Sequence, residues 1–135
     1  MSSGMSSSAR EVAFLEMKKV DRETLNRFAL TSGDPNLIHL DDDVAKRMGL
    51  PSVIAHGMLV AAWAAERAVI FARDEGHLAS PKIHSISTRF QAMTFPGDVI
   101  SIGGKAEAQA SGGWKLELQA KKQTGDVVLT ASVLV

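Results

Sequence analysis

The sequence predicts an α+β domain in which a curved antiparallel sheet wraps one long, mostly apolar helix. Three observations carry this. From Gly57 to Arg73 the chain reads Gly-Met-Leu-Val-Ala-Ala-Trp-Ala-Ala-Glu-Arg-Ala-Val-Ile-Phe-Ala-Arg, rich in helix-favouring alanine and apolar on most sides until Glu66 and Arg67. After residue 84 the pattern changes to short β-type segments separated by glycine turns. The chain of 135 residues is 45% hydrophobic, enough for one real core and near the usual size of one domain.

The elements follow in order. Val12 to Lys18 is short and mostly apolar, a strand or a helix start, with strand preferred. Asp21 is a good helix N-cap, with Val20 and Leu25 placed as a hydrophobic staple across it. Leu25, Phe28 and Ala29 repeat at helical spacing until Gly33 and Pro35 stop the helix. Asp34 to Ile38 is then a tight loop. The acidic run Asp41 to Asp43 reads as capping of a short helix over residues 42–48, rather than as a metal site. Gly49 and Pro51 close that helix, and Pro51 to Ile54 connects to His56-Gly57.

The helix from Gly57 would be roughly 25 Å long. Its nearly all-round apolar character predicts that the protein wraps it, and Glu66 and Arg67 argue against a membrane span. Residues 74–81 form a loop. Ile86, Thr88, Phe90 and Ala92 then alternate with Ser85, Ser87, Arg89 and Gln91 as in a strand. Phe95-Pro96-Gly97-Asp98 is a turn. Further strands are expected over 99–109, 114–123 and 127–135, joined by glycine hairpin turns at 111–113 and 124–126.

Composition narrows the function. Fifteen basic residues balance fifteen acidic ones, so there is no electrostatic case for nucleic acid. No cysteine is present for disulfide or thiolate chemistry. No apolar run is long enough for a membrane span. The Ser-rich start lacks the apolar segment of a signal peptide. It is expected to be a disordered tail over residues 1–11, before a single domain over 12–135, in a cytoplasmic protein.

The chemistry concentrates between Phe28 and Met58. Asp34 and His39 lie five residues apart in a turn-rich loop, where a carboxylate and an imidazole can share proton transfer near neutral pH. That spacing alone is weak evidence and is better explained by a cap beside a core histidine. Asn36 between them suits a turn, and could also orient the acid or a water. Gly57 opens the long helix, whose first N–H groups carry partial positive charge. A glycine there lets a carbonyl oxygen approach the backbone closely, or simply caps the helix. His56 is a cap or a holder of the loop. His77 and His84 have no ligand pattern around them.

The run Phe28-Ala29-Leu30-Thr31-Ser32-Gly33-Asp34-Pro35-Asn36-Leu37-Ile38-His39, with Ala45 six further on, resembles the hydratase motif of the MaoC-like family, the (R)-specific enoyl-CoA hydratases. Ile54-Ala55-His56-Gly57-Met58 is similar to that family's second landmark. Thr88-Arg89-Phe90 with Phe95-Pro96-Gly97-Asp98 resembles its strand-and-turn segment. The resemblance runs from about Val20 to the C-terminus. It implies a single hotdog fold and reversible hydration of an enoyl thioester carried on coenzyme A or acyl-carrier protein. It also implies a homodimer paired through the sheets. By the same resemblance, Asp34 and His39 are the catalytic dyad and the Gly57 N–H is the oxyanion donor. Ser32, Asn36, His56 and Met58 are its substrate-binding neighbours. No metal or cofactor is needed. Lys46, Arg47, Lys82 and Arg89 are candidates for the phosphates of coenzyme A, or merely a solvated charged face.

One departure is Leu37, where the family usually has proline. It leaves each chemical group in place but loosens the loop, which bears on substrate range more than on reaction. Two other functions suit the fold: an acyl-CoA thioesterase, and a non-catalytic acyl-thioester-binding subunit. The pairing of His39 with Asp34 favours hydration, which needs proton delivery at two positions.

Overall fold

A computed structural model of the chain describes residues 9–34 and 36–135; the Ser-rich start and Pro35 lie outside them. Strand β1 spans Ala9–Lys19 and helix α1 Arg22–Ser32. A 3-10 turn at Leu37–His39 and a short helix α2 at Asp42–Arg47 lead to the long helix α3, Gly57–Asp74. Four strands follow: β2 at Ser85–Phe90, β3 at Val99–Ala108, β4 at Trp114–Lys121 and β5 at Val127–Leu134. The strand reading of residues 12–18 holds, and β1 starts at Ala9, three residues before the expected domain boundary.

All five strands form one antiparallel sheet in the order β1-β3-β4-β5-β2. Side chains alternate across a strand, so β4 turns Trp114, Leu116, Leu118 and Ala120 inward and Lys115, Glu117 and Gln119 outward. The inward row packs on α3, where Ala61, Ala64, Ala68 and Ala72 are all buried. These small residues let the sheet close around the helix, with Phe71 and Trp114 meeting edge to face at 5.3 Å.

The strand pairing is most irregular where β1 meets β3. Their register slips between Val12 and Leu15 and again between Glu16 and Lys19. Buried Arg67 of α3 joins the two strands there: its Nε donates to the Ile102 carbonyl at 3.2 Å and an Nη to the Ala13 carbonyl at 2.7 Å.

The sheet wraps α3 as expected, and one expectation, about β2, needs correction. Along α3 one stripe stays open. Met58, Ala62 and Glu66, each four residues apart, form that stripe, because a single sheet can cover only one side of a helix. The strand pattern of residues 85–92 stops at Phe90, where Gln91 and Ala92 both donate to the Val128 carbonyl. As an edge strand, β2 leaves Ile86 and Phe90 exposed.

Candidate active site

The local folding of residues 21–41 follows from short-range chemistry. Asp21 accepts from the Thr24 N–H at 2.7 Å and starts α1, and Gly33 ends it in the left-handed conformation at φ 74°. Asn36 then caps the 3-10 turn by accepting from the Ile38 N–H at 3.2 Å, while its own N–H donates to the Asp34 carboxylate at 3.3 Å. The Asn36 side chain thus serves the turn, as one of its two sequence readings has it, and only its backbone N–H reaches the Asp34 carboxylate.

His39 at the end of this turn is buried, and its Nδ1 lies 2.8 Å from the Ile54 carbonyl. A carbonyl can only accept, so Nδ1 carries the proton and neutral His39 presents a bare Nε2. That nitrogen is 4.0 Å from an Asp34 carboxylate oxygen. The carboxylate is half exposed and the imidazole nearly enclosed. The gap exceeds a direct hydrogen bond but lets one water touch both groups.

His56 stands behind this pair. It is 2% exposed, and its ring stacks on His39 with centroids 3.8 Å apart. Its Nε2–H donates to the Asp34 carbonyl at 3.1 Å, and Phe28 packs edge-on against its other side at 4.8 Å. Burial pushes the His56 pKa down, although the bond to the Asp34 carbonyl pulls the other way. His56 is thus a neutral prop for the backbone of Asp34.

Asp34, His39 and His56 bring potential ligand atoms within 4.8 Å of one another. Imidazole lone pairs lie in the ring planes, and the planes of the stacked pair are only 25° from parallel. Their lone pairs therefore run past one another, and one nitrogen of each ring is already bonded to a carbonyl. That arrangement does not suit a shared ion.

Asp42 supplies a support that sequence reading missed. Asp41 does cap α2, accepting from Asp43 and Val44 N–H groups, but Asp42 turns away from that role. It accepts from the Val53 N–H at 3.0 Å and pairs with Arg22 at 2.9 Å. The Val53 N–H is the main cause holding its carboxyl below the ordinary range. The segment so anchored carries the Ile54 carbonyl that holds His39.

The remaining expected residues are arranged around this core. Gly57 is the first residue of α3, and its helix start has no side-chain cap. A Cβ on Gly57 would lie 2.8 Å from the Phe90 ring, so that aromatic fills the space a side chain would need. Met58 beside it is exposed. Ser32 does not face the pair: its hydroxyl donates back to the Phe28 carbonyl at 2.6 Å on α1. A cavity of about 170 Å³ opens between α3 and the sheet, lined by Ile54, Gly57, Val60, Phe90, Met93 and Leu129 among others. Phe90 entered the sequence reading only as a strand residue, because its contact with Gly57 spans 33 positions.

A long helix cradled by a curved antiparallel sheet, with an acid and a histidine on the loop feeding that helix, defines a hotdog-fold domain. The chain belongs to the MaoC-like domain family, which residues 6–132 match. It is similar to 3-hydroxyacyl-thioester dehydratase X of Mycobacterium tuberculosis, 35% identical over 109 residues. That match covers 81% of this chain and 35% of the relative, so the chain spans about a third of that protein's length. The fold is similar to the (R)-hydratase from A. caviae involved in PHA biosynthesis, with TM-score 0.76, 22% identity and 91% of each chain covered. A monoamine oxidase regulatory protein from Archaeoglobus fulgidus gives TM-score 0.76 and 26% identity, covering 94% of this chain and 88% of that one. Among the described residues, no helix is long and apolar enough to cross a membrane.

Proposed function

We propose that this chain is a hydro-lyase that adds water reversibly to a trans-2-enoyl thioester, giving an (R)-3-hydroxyacyl thioester. The observation that carries it is the bare His39 Nε2 held 4.0 Å from the Asp34 carboxylate, beside the uncapped start of α3. The name of the Mycobacterium tuberculosis relative, a 3-hydroxyacyl-thioester dehydratase, agrees with this reaction.

In hydration, Asp34 and His39 hold one water between them. As its oxygen bonds to C3, its proton passes to the pair, and C2 receives a proton from the pair. The pair thus ends each turnover in the protonation state in which it began. Dehydration runs the same steps backward. His39 exchanges its proton through Nε2, since Nδ1 is committed to Ile54. The Gly57 N–H, at the positive end of α3, holds the thioester oxygen while enolate charge develops on it. Coenzyme A or acyl-carrier protein carries the substrate, since both present the same phosphopantetheine arm. The Asn36 backbone N–H orients Asp34, and His56 supports it from behind.

Two copies pair through their sheets in this proposal. The exposed edge strand β2, with Ile86 and Phe90 uncovered, supports that arrangement. Light scattering should give twice the chain mass, and a monomer would overturn the pairing.

The reaction is tested by the loss of enoyl-thioester absorbance with crotonyl-CoA in the parent, Asp34→Asn and His39→Gln proteins. Acid/base assistance is typically worth about 10²–10⁴-fold, and each variant should lose that much. Full activity in Asp34→Asn would overturn the mechanism. Free thiol released from acyl-CoA would indicate a thioesterase instead.

A further inference from the structure

The turn Phe95-Pro96-Gly97-Asp98 takes no part in the proposed chemistry, yet it is built around one largely enclosed carboxylate. The Asp98 side chain is 13% exposed. One of its oxygens accepts from the Phe95 N–H at 2.8 Å and lies 3.2 Å from Lys122 Nζ. The other accepts from the Gln123 side-chain amide at 3.1 Å. Burial pushes the Asp98 pKa up, but these donors outweigh it and hold the carboxyl below the ordinary range. Asp98 thus closes the turn on itself and ties it to the β4–β5 hairpin.

Two arms run from this turn to the site. The Thr94 carbonyl, directly before it, accepts from the Ala55 N–H at 2.7 Å. On the other arm, the Asp98 carbonyl accepts from the Val20 N–H at 2.8 Å, and the Gly97 N–H donates to the Val20 carbonyl at 2.7 Å. Val20 directly precedes the cap of α1, the helix that leads to Asp34. The first arm bears on Gly57. Val53 and Ile54 are held from the dyad side, by the Asp42 carboxylate and the Ile38 carbonyl. Ala55 is held from the sheet side, by Thr94. The start of α3 has no side-chain cap, so the backbone before it decides where its N–H groups stand.

Building on the hydratase reading, we infer that Asp98 is a positioning residue: by fixing the 95–98 turn, it sets where the Gly57 N–H stands relative to Asp34 and His39. It acts through the backbone of Phe95, Thr94 and Ala55, and touches no reacting atom itself. Misplacing a catalytic group by about 1 Å can cost up to 10²-fold.

The test compares the parent with Asp98→Ala, Asp98→Asn and Lys122→Met, by crotonyl-CoA kinetics and by the amide NMR signals of Ala55 and Gly57. Lys122→Met removes the ion pair but leaves the Phe95 N–H its acceptor. Asp98→Asn keeps one oxygen for that N–H. Asp98→Ala should lower kcat by up to about 10²-fold, with a smaller change in KM, and should shift both amide signals. Asp98→Asn should fall between it and the parent. Lys122→Met should lose stability while keeping the kcat and the two signals of the parent. A loss of kcat in Lys122→Met equal to that in Asp98→Ala would make the effect one of general stability and overturn the inference. Unchanged kcat or unmoved signals in the Asp98 variants would also overturn it and leave the reaction standing. Signals that move with Asp98 in a parent without turnover would sustain the positioning and sink the reaction. If Asp98→Ala does not fold, Asp98→Asn against Lys122→Met decides the same question.

Discussion

The imidazole of His56 lies face to face with that of His39, centroids 3.8 Å apart and planes 25° from parallel. Two stacked imidazoles cannot both be charged without strong repulsion. His39 needs to exchange a proton in the proposed reaction, so His56 has to stay neutral. Its burial against Phe28 does this. The cost is a buried Nδ1 with no hydrogen-bond partner among the described residues. An orphaned buried acceptor costs about 1–3 kcal/mol, a cost that persists here at the site proposed for function.

The first prediction is a pH dependence of stability. The His56 pKa is lowered in the fold, so the unfolded chain binds its proton more readily. Stability is therefore complete above the unfolded value of about 6.5 and declines as pH falls from there toward the folded value. Asp21 and Asp42, lowered chiefly by the Thr24 and Val53 N–H groups, act in a separate window below the ordinary carboxylate range. Urea midpoints measured from pH 7.5 to 5 should fall in the parent and stay flat in His56→Phe. A parent curve matching that of His56→Phe would refute the assignment.

The second prediction concerns the prop itself. His56→Gln keeps an N–H able to reach the Asp34 carbonyl, and His56→Phe keeps only the ring. Misplacing a catalytic group by about 1 Å can cost up to 10²-fold. Turnover of crotonyl-CoA should thus drop further in His56→Phe than in His56→Gln, mostly in kcat. Equal losses in the two variants would mean that ring packing, not the hydrogen bond, positions Asp34.

What could be read in the sequence were the features decided by near neighbours. Asp21, Gly33 and Asn36 each act within a few residues, and each cap or turn stands where the residue types place it. The β4 alternation and the glycine turns, with Gly112 at φ 101° and Gly125 at φ 92°, were legible for the same reason. Long-range choices were hidden. Ser32 could have faced the dyad, but a helical serine has the carbonyl four residues back within reach and bonds to it. Arg67 entered the sequence reading only as a charge against a membrane span, yet β1 and β3 turn two carbonyls toward it. The stacking of His56 on His39 and the closure of Phe90 on Gly57 join residues 17 and 33 positions apart, which no local pattern reports.

The third prediction follows from that last contact. In Gly57→Ala the new Cβ would sit 2.8 Å from the Phe90 ring. The ring is half exposed and can swing aside, so the loss belongs at the low end for overpacking, about 1 kcal/mol. Gly57→Ala should recover most of this in a Phe90→Leu background. Denaturation midpoints of the two single variants and the double variant form the cycle, and purely additive losses would show that the two residues do not press on each other.

Asp42 gives a fourth, kinetic prediction. Its carboxylate holds the Val53 N–H, and the next residue supplies the carbonyl that fixes the His39 tautomer. Asp42→Ala should leave His39 freer to rotate and lower kcat by up to about 10²-fold, with a smaller change in KM. Asp42→Asn retains an oxygen for Val53 but loses the ionic partner of Arg22, and should sit close to the parent. Loss of activity in Asp42→Asn equal to that in Asp42→Ala would place the effect in the Arg22 pair.

The fifth prediction tests what holds β1 and β3 together over α3. Arg67 is 4% exposed and donates to the Ile102 and Ala13 carbonyls, with no carboxylate bonded to it among the described residues. Burial pushes its pKa down, opposed by the more distant Glu75 and Asp74. Removing it leaves two carbonyls without their donors and opens a cavity beside α3. Hydrogen bonds to a charged group are worth about 1.5–3 kcal/mol each, so Arg67→Ala should cost about 3 kcal/mol or more of unfolding free energy. Arg67→Met refills the space without the donors and should recover part of the loss. Arg67→Lys keeps the charge but lacks the planar fork that spans two strands, and should fall between the parent and Arg67→Ala. Urea unfolding at constant pH ranks the four proteins. If Arg67→Met matched the parent, this junction would be held by packing alone, and the two carbonyls would have found other donors.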